Sequence, residues 1–192
     1  MELNNKIKDL QNLVVYRKHL VWQPYMEKYK CDFICEIGVR HGANFDLMTR
    51  HNPKLAVAVD IWRNDGVMAH NDGAYLQEEL DKQYLDFKKG IGNKPFVKIY
   101  REYSHNAVKR FPDNYFDFIY IDADHTYQSC LQDIKGWYSK VKKGGVLAGD
   151  DYREAKVKTG VRFGVIRAVE TFIKENNLSC YELPRYNWVI LK

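Results

Sequence analysis

The stretch FIYIDADHTY (residues 118–127) decides the fold of this chain. Its apolar run stops abruptly at Asp122, Asp124 and His125. A second apolar run, GGVLAG (residues 144–149), stops in the same way at Asp150 and Asp151. A carboxylate beside a hydrophobic core must be paired, hydrogen-bonded or bound to a metal. Two buried strands that both end in carboxylates therefore predict a reaction centre.

Strands and helices alternate on both sides of this stretch. The predicted strands are Phe33–Ile37, Leu55–Val59, Phe96–Tyr100, Phe116–Ile121, Val146–Gly149, Ser179–Leu183 and Asn187–Leu191. Helical patterns separate the first five, whereas the short connection Pro184–Tyr186 joins the last two as an antiparallel hairpin. This order predicts an α/β fold with a mostly parallel sheet covered on both faces. Ligands of such sheets bind beyond the carboxyl ends of the strands.

The length of 192 residues suits one domain with a small extension. Leu10, Leu13, Val14 and Leu20 recur at near-helical spacing. We therefore expect a helical N-terminal extension over residues 1–30 and the main domain over residues 31–192.

The composition predicts a soluble protein with no membrane partner. No run approaches the roughly 20 apolar residues of a membrane span. The N-terminus is too polar for a signal peptide, so the cytoplasm is the default location. The four cysteines, Cys31, Cys35, Cys130 and Cys180, form no CxxC pair and are predicted to be free buried thiols.

The turn Glu36–Gly42 (EIGVRHG) leads from a predicted strand into a predicted helix. Gly38 and Gly42 would let the backbone approach a ligand, and the helix N-terminus would present free N–H groups. The turn is neither the G-x-G-x-x-G fingerprint nor a phosphate-binding loop with Gly-Lys-Ser/Thr. Two glycines in such a turn are common, so the motif alone is a weak signal.

Asp60 ends the next strand, where a carboxylate can accept both ribose hydroxyls of a nucleoside. The alternative is a plain turn or cap residue. Trp62 is predicted to stack on an adenine ring, and a packing role for it stays open.

Together these segments resemble a class I S-adenosylmethionine-dependent methyltransferase with a Rossmann-like three-layer sandwich and a seven-stranded sheet. The resemblance covers residues 30–192 and rests on EIGVRHG, VAVDIW, FDFIYIDADHTY, KKGGVLAGDDY and the helix that follows Gly160. It points to the branch of catechol-type and macrolide-sugar O-methyltransferases. It implies that Glu36, Gly38, Gly42, Asp60 and Asp122 hold the cofactor, and that Ser104 touches the adenine.

The resemblance also implies a metal centre. Asp122 would bind Mg²⁺ together with the pair Asp150 and Asp151, and His125 would be the general base. If the two strands are neighbours, their ends lie about 4.8 Å apart, so carboxylates from both can close on one cation. Oxygen ligands favour Mg²⁺, Mn²⁺ or Ca²⁺. His125, with an ordinary pKa of about 6.5, can take a proton near neutral pH.

Three alternatives stay open at this centre. Asp124 can simply cap the following helix, His125 can be structural, and Asp151 can pair with Arg153 or Lys156 rather than with a metal. The acceptor is expected to be a vicinal hydroxyl pair of a small molecule, a sugar rather than a catechol because the base is a histidine. Its pocket would come from the N-terminal extension, residues 63–73, residues 152–160, or the second subunit of a homo-oligomer.

Two other functions remain as rivals. The formal charge of +5 permits an RNA methyltransferase. No basic tract with interleaved aromatic residues supports that reading, so a nucleic-acid partner is disfavoured. A non-catalytic cofactor-binding protein of the same fold is the second rival, since fold alone does not fix function.

Overall fold

A computed structural model of the protein describes residues 2–16, 19–64, 75–155 and 163–192. Residues 65–74 and 156–162 include most of the two loops predicted to border the acceptor site, so that prediction lies largely outside the described residues. The helices are α1 (Glu2–Gln11), α2 (Gln23–Lys28), α3 (Ala43–Thr49), α4 (Gln77–Lys89), α5 (Ser104–Ala107), α6 (Tyr127–Tyr138) and α7 (Val165–Asn176). The strands are β1 (Val15–Tyr16), β2 (His19–Leu20), β3 (Phe33–Ile37), β4 (Leu55–Asp60), β5 (Val97–Arg101), β6 (Phe116–Ile121), β7 (Val141–Gly149), β8 (Cys180–Leu183) and β9 (Asn187–Leu191).

Seven strands form one sheet in the order β5-β4-β3-β6-β7-β9-β8. The first five are parallel, and β9 runs antiparallel to both β7 and β8. The predicted fold class, including the C-terminal hairpin, is therefore confirmed. The chain leaves β3 toward β4 and β5, then returns to the other side of β3 with β6. This reversal creates a crevice at the carboxyl ends of β3 and β6, where doubly wound sheets bind their ligands.

Strand β6 shows how the sheet separates two cores. Phe118 and Tyr120 pack on one face, whereas Ile119 and Ile121 pack on the other. This alternation follows from the two-residue period of a strand whose faces are both covered. On the second face, α7 buries Val165, Ala168, Val169 and Phe172, the stripe expected of an amphipathic helix.

The N-terminal segment is part of the hydrophobic core that contains Phe118 and Tyr120. Leu10, Leu20, Trp22 and Met26 are buried together with Phe118 of the sheet. Helices α1 and α2 agree with the predicted helical extension, but the short antiparallel pair β1–β2 lies between them and was not predicted. Its strands of two residues are too short to leave a periodic signal.

The start of β7 corrects another prediction. The strand predicted over Val146–Gly149 begins at Val141, and residues 142–145 lie at a register shift between the pairs Val141–Phe116 and Val146–Phe118. Lys142 Nζ contacts Asp117 Oδ1 of β6 at 2.7 Å, which satisfies the lysine at the strand edge. All four cysteines are free, as predicted, and Cys31, Cys35 and Cys130 are buried. Within the described residues, no helix has the length and apolarity needed to cross a membrane.

Candidate active site at the carboxyl ends of the strands

A cavity of about 310 Å³ lies at the carboxyl ends of β3, β4, β5 and β6. Residues that follow each of these strands line it, among them Gly38, Asp60, Ser104 and Asp122. Because the strands are parallel, residues far apart in the sequence meet at this one edge. The cavity joins the predicted nucleoside site to the predicted acidic site.

Gly38 allows β3 to approach the end of β6. Its φ is +86°, and a Cβ at this position would lie 1.9 Å from the carbonyl oxygen of Asp122. The Asp122 N–H donates to the Ile37 carbonyl at 2.7 Å, so the two strand ends are joined directly. Only glycine fits this position, and it holds Asp122 beside the glycine turn.

Glu36 and Gly42 do not line the cavity. Glu36 is buried, and its Oε1 accepts a hydrogen bond from Asn44 while Oε2 has no partner among the described residues. Burial, together with the charge of Asp122, raises the pKa of Glu36 well above its ordinary value. Gly42 precedes α3 with φ +78°, and a Cβ there would meet the Phe87 ring at 2.6 Å. Both residues therefore have clear structural roles, and their contact with a cofactor stays a prediction.

Asp60 is fixed by the backbone on both sides of the cavity. Its Oδ2 accepts from the N–H groups of Val39 and Arg40 at 2.9 and 2.8 Å, and its Oδ1 accepts from the Trp62 N–H at 2.8 Å. A carboxylate offers about four acceptor positions, so it can still bind a hydroxyl. Burial raises the pKa of Asp60, and these hydrogen bonds oppose that rise.

Trp62 adopts the packing role that the sequence left open. The side chain is only 1% exposed, its ring stacks on Phe87, and Nε1 donates to the Arg40 carbonyl at 2.9 Å. It still borders the cavity, so a contact with the adenine stays a prediction.

Ser104 belongs to a hydrogen-bond chain that the sequence reasoning missed. Its Oγ accepts from Trp137 Nε1 at 2.7 Å and donates to Asp133 Oδ1 at 2.5 Å. Asp133 is buried and lines the cavity, and burial raises its pKa to about 7. A signal was present in the sequence, because Asp133 interrupts the apolar stripe formed by Cys130, Ile134 and Trp137 on α6.

Beside the cavity, the structure places His125 between two carboxylates, of which only that of Asp122 belongs to a residue that lines the cavity. His125 Nε2 lies 3.3 Å from Asp122 Oδ1 and 3.1 Å from Asp151 Oδ2. Asp151 has φ +55°, a left-handed conformation that few non-glycine residues adopt and that aspartate adopts more readily than most. One ligand atom from each of these three residues lies within 4.8 Å of the others. We call Asp122, His125 and Asp151 the acidic cluster.

Asp150 lies beside the acidic cluster but is not part of that compact group. Its Oδ1 accepts from the Asp151 N–H at 2.8 Å, and burial followed by the charge of Asp122 raises its pKa to about 7. For His125, burial lowers the pKa, but the hydrogen bond with Asp122 and the charge of Asp151 outweigh it, so the net pKa is raised.

Of the alternatives for the neighbouring aspartates, the pairing of Asp151 with Arg153 is observed, whereas the capping of α6 by Asp124 is wrong. Arg153 Nε donates to Asp151 Oδ1 at 2.8 Å, and its guanidinium lies between the rings of Phe163 and Tyr186. Phe163 also stacks on the His125 ring, with centroids 4.8 Å apart. Asp124 accepts from the Thr126 N–H, but Thr126 itself is the N-cap of α6. Asp124 thus supports the turn before the cap.

The donor set of the acidic cluster fits a divalent cation. Carboxylate oxygens from two strand ends converge, as predicted, and Asp150 can add a further oxygen from the adjacent position. The imidazole of His125 is the unpredicted member of the set, since the sequence assigned it to the base. The presence of a metal stays a prediction.

Comparisons with known proteins agree with this architecture. Residues 35–152, more than half of the chain, match a family described as a methyltransferase domain. An uncharacterized protein of Acanthamoeba polyphaga mimivirus is 31% identical over 121 residues, which cover 62% of this chain and 51% of the relative. The chain thus spans about half the length of this curated relative.

Two solved structures share the fold. The cofactor-bound protein Rv0187 from MTB has a TM-score of 0.64 at 14% identity, over 99% of this chain and 88% of that one. The O-methyltransferase from Bacillus cereus in complex with SAH has a TM-score of 0.55 at 16% identity, over 100% and 89% of the two chains. At such identities the likeness shows the fold alone, whereas the match of residues 35–152 to the family model shows the family. The chain belongs to the class I S-adenosylmethionine-dependent methyltransferases.

Proposed function

We propose that the protein transfers the methyl group of S-adenosylmethionine to a hydroxyl of a small molecule or sugar, with His125 as general base and a divalent cation, Mg²⁺ or else Mn²⁺ or Ca²⁺, at the acidic cluster. One observation carries this proposal. The His125 Nε2 atom and the carboxylates of Asp122 and Asp151 converge beside the cavity that Gly38 and Asp60 line. A nucleoside site and a proton acceptor at neighbouring strand ends are the two parts that methyl transfer to oxygen requires.

The positions of the strand ends support one orientation of the cofactor. Asp60, at the end of β4, would accept one ribose hydroxyl at the acceptor position that its three backbone donors leave, and the close approach at Gly38 leaves room for the backbone to contact the ligand. The sulfonium then points toward Asp122 at the end of β6. An acceptor oxygen beside His125 can attack the methyl carbon in line with the sulfur.

The transfer itself needs one proton acceptor. The acceptor oxygen forms a bond to the methyl carbon, the carbon–sulfur bond breaks with its electron pair kept by sulfur, and the hydroxyl proton moves to His125 Nε2. Phe163 stacks on the imidazole and fixes the plane of the ring, so that Nε2 faces the carboxylates. A bound cation would supply Lewis acidity, which lowers the pKa of the hydroxyl that is methylated.

Asp122, Asp150 and Asp151 would hold this cation. Asp151 is positioned for it from two sides: Arg153 engages Oδ1, and Oδ2 faces His125. His125 lies close enough to be a ligand itself, and an imidazole ligand would favour Mn²⁺ or Zn²⁺ over Mg²⁺. The base role and the ligand role are separable by experiment.

The acceptor class rests on the resemblance in the sequence and on the aromatic surface beside the cluster. Tyr186 is exposed and Phe163 stacks on His125, and such rings suit the apolar face of a sugar. A sugar with adjacent hydroxyls would reach His125 and the acidic cluster at the same time. A sugar diol is thus the first acceptor to test, before catechols.

The test combines turnover with metal binding. S-adenosylhomocysteine release would be measured with panels of sugar diols, catechols and RNA, before and after EDTA treatment. Mn²⁺ affinity would be measured by electron paramagnetic resonance for the wild type, Asp122→Asn and His125→Asn. We expect turnover with a diol that EDTA abolishes, and Mn²⁺ binding that Asp122→Asn weakens by roughly 10-fold or more. His125→Asn should abolish turnover and leave Mn²⁺ binding intact.

Each departure from this result has a distinct meaning. Loss of Mn²⁺ binding in His125→Asn would make His125 a ligand rather than the base. Full turnover after EDTA treatment in Asp122→Asn would overturn the metal role. Methylation of RNA alone would favour the nucleic-acid alternative. Asp113→Asn is the matched control, because it removes an exposed carboxylate that pairs with Lys140, away from the cavity.

A further inference from the structure

Arg153 lies between two aromatic rings at the edge of the acidic cluster. Its guanidinium carbon lies 5.6 Å from the centroid of the Phe163 ring and 5.1 Å from that of the Tyr186 ring. The Phe163 ring also stacks on His125, so Arg153 and the proposed base contact the same side chain. Contacts with two rings and with Asp151 hold the planar guanidinium in one orientation.

The turn that carries Tyr186 has an unusual backbone conformation. Arg185 and Tyr186 have φ values of +65° and +64°, in the left-handed region that arginine and tyrosine rarely adopt. The side chain of Asn187, which is buried, accepts from the Tyr120 hydroxyl at 2.6 Å. Its Nδ2 donates to the carbonyls of Pro184 and Arg185, each at 3.2 Å. Such conformations persist only where the surrounding structure holds them, and they are frequent at functional sites.

The outer nitrogens of Arg153 are left for a ligand. Within the described residues only Nε is used, and it donates to Asp151 Oδ1 at 2.8 Å. The two Nη atoms donate to no acceptor in that part of the chain, and the side chain is 43% exposed. A guanidinium carries five N–H donors in a planar fork, so those of the Nη atoms remain available. Carboxylates and phosphates are the groups that accept two such hydrogen bonds at once.

Asp151 links these donors to the proposed base. Its Oδ1 accepts from Arg153 Nε, whereas its Oδ2 lies 3.1 Å from His125 Nε2. Arg153 and His125 thus contact the two oxygens of one carboxylate. This step rests on the function proposed above, in which a hydroxyl of the acceptor lies at His125. Another part of the same acceptor molecule would then lie beside the Nη atoms.

We propose that the acceptor is an acidic sugar, whose carboxylate or phosphate binds the Nη atoms of Arg153 while a hydroxyl lies at His125. Arg153 is then a specificity-determining residue, because a neutral sugar or a catechol has no group that can accept two hydrogen bonds from the guanidinium. A carboxylate and a phosphate share this chemistry, so both are tested.

The test is calorimetric titration at pH 8, with S-adenosylhomocysteine and Mg²⁺ present, of glucose, glucuronic acid and glucose 6-phosphate. The three sugars share their ring hydroxyls and differ only at C6. The wild type should bind the acidic sugars about tenfold or more tightly than glucose, as expected of hydrogen bonds between charged groups. Arg153→Gln should bring the three affinities together. Arg153→Lys keeps the charge without the planar fork and should retain part of the preference.

The ratio of affinities decides the outcome, because Arg153 also holds Asp151. Any loss at the acidic cluster in Arg153→Gln would weaken all three sugars alike, and the Mn²⁺ affinity of this variant, measured by electron paramagnetic resonance, reports it. Arg50→Gln is the matched control, since the Arg50 side chain is 44% exposed and pairs with Asp46 of α3. It should keep the wild-type preference.

Equal affinities of the wild type for the three sugars, or no binding of either acidic sugar, would overturn the proposal. So would a preference that Arg153→Gln leaves unchanged. A preference for only one of the two acidic sugars would support the proposal and identify the anion as a carboxylate or a phosphate.

Release of S-adenosylhomocysteine from S-adenosylmethionine with the same sugars separates this proposal from the proposed function. Acidic sugars that bind through Arg153 without being methylated would support the anion site and overturn methyl transfer to these sugars. Methylation of glucose and of both acidic sugars with equal kcat/KM would support the proposed function and overturn the role of Arg153.

Discussion

The two ends of the cavity differ in how their polar groups are partnered. At the end near β4 and β5, which we call the adenosine end, Asp60 accepts three backbone N–H groups and Asp133 accepts from Ser104. At the acidic cluster, His125 lies between two carboxylates, and Asp151 has a left-handed backbone. The carboxylates of the adenosine end are held by hydrogen bonds within the protein, although Gln83 Oε1, which lines the cavity, has no partner among the described residues. The acidic cluster instead brings two carboxylates close together. Substitutions at the first should therefore change stability, and substitutions at the second should chiefly change cation binding.

Gly38→Ala should have the largest effect, because Gly38 joins the two ends. The new Cβ would lie 1.9 Å from the Asp122 carbonyl oxygen, and backbone cannot yield as a flexible side chain can. We expect the free energy of unfolding to fall by about 3 kcal/mol or more, measured by urea denaturation.

Gly144→Ala is the control for this substitution. Gly144 has a similar φ of +78°, but its Cβ would meet only the end of Lys6 at 3.7 Å. It should lose about 1–2 kcal/mol from the left-handed conformation alone. If both variants lost the same amount, the close contact between the ends of β3 and β6 would be wrong.

Asp133 should make stability depend on pH at the adenosine end. Its pKa is raised from 3.8 to about 7, so between these values the unfolded chain releases a proton that the folded protein keeps. The free energy of unfolding therefore falls as pH rises through this window, by at most about 4 kcal/mol. Ser104 and Asp124 are the polar groups facing it. Asp133→Asn should flatten this part of the profile.

The measurement is denaturant unfolding at pH 5 and pH 8 for the wild type and Asp133→Asn. The difference between their slopes isolates Asp133, because Asp150 also titrates near pH 7 and contributes to both. Asp113→Asn should leave the slope in this window unchanged, since the pKa of Asp113 is lowered by Lys140. A slope for Asp133→Asn that matches the wild type would contradict the prediction.

Binding of a divalent cation at the acidic cluster should raise the stability of the folded protein. Mn²⁺ at about 100 times its dissociation constant would stabilise the folded protein by about 2.7 kcal/mol. For a chain of this size, that corresponds to a rise in Tm of roughly 5–10 °C, measured by scanning calorimetry. Asp151→Asn should lose most of this rise, and Asp60→Asn should keep it. If both variants lost the Mn²⁺-induced rise in Tm equally, cation binding at the acidic cluster would depend on the adenosine end, and the prediction would be wrong.

The sequence predicted the fold well because its signals are local. Apolar runs such as Phe33–Ile37 and Phe116–Ile121 match the observed strands residue for residue, since strands buried on both faces need no partner information to be recognised. The convergence of Asp122 and Asp151 was expected on the condition that their strands are neighbours, which the order of the sheet meets. The pair β1–β2 was missed because two residues carry no period.

The parts of the site that were missed depend on tertiary contacts. Trp62 follows a strand end, where a residue that stacks on a base is expected. Its ring instead stacks on Phe87 of α4, and no local sequence pattern predicts this contact. Asp133 was overlooked because its partner Ser104 lies 29 residues away on another element. That His125 lies between carboxylates depends on the left-handed backbone at Asp151, which no local sequence pattern predicts.

Thr126→Ala should have the smallest effect and sharpens the contrast between the two ends. Thr126 caps α6, which carries Asp133 to the adenosine end, and directly follows the turn that carries His125 to the acidic cluster. Loss of the cap should cost about 1 kcal/mol of unfolding free energy, and Thr126→Ser should restore most of it. The affinities for S-adenosylhomocysteine and Mn²⁺, measured by calorimetry, should both stay within about threefold, since the cap touches neither ligand. A selective loss of affinity for one ligand would show that Thr126 supports the binding of that ligand. The prediction that the cap of α6 contributes to neither the adenosine end nor the acidic cluster would then be wrong.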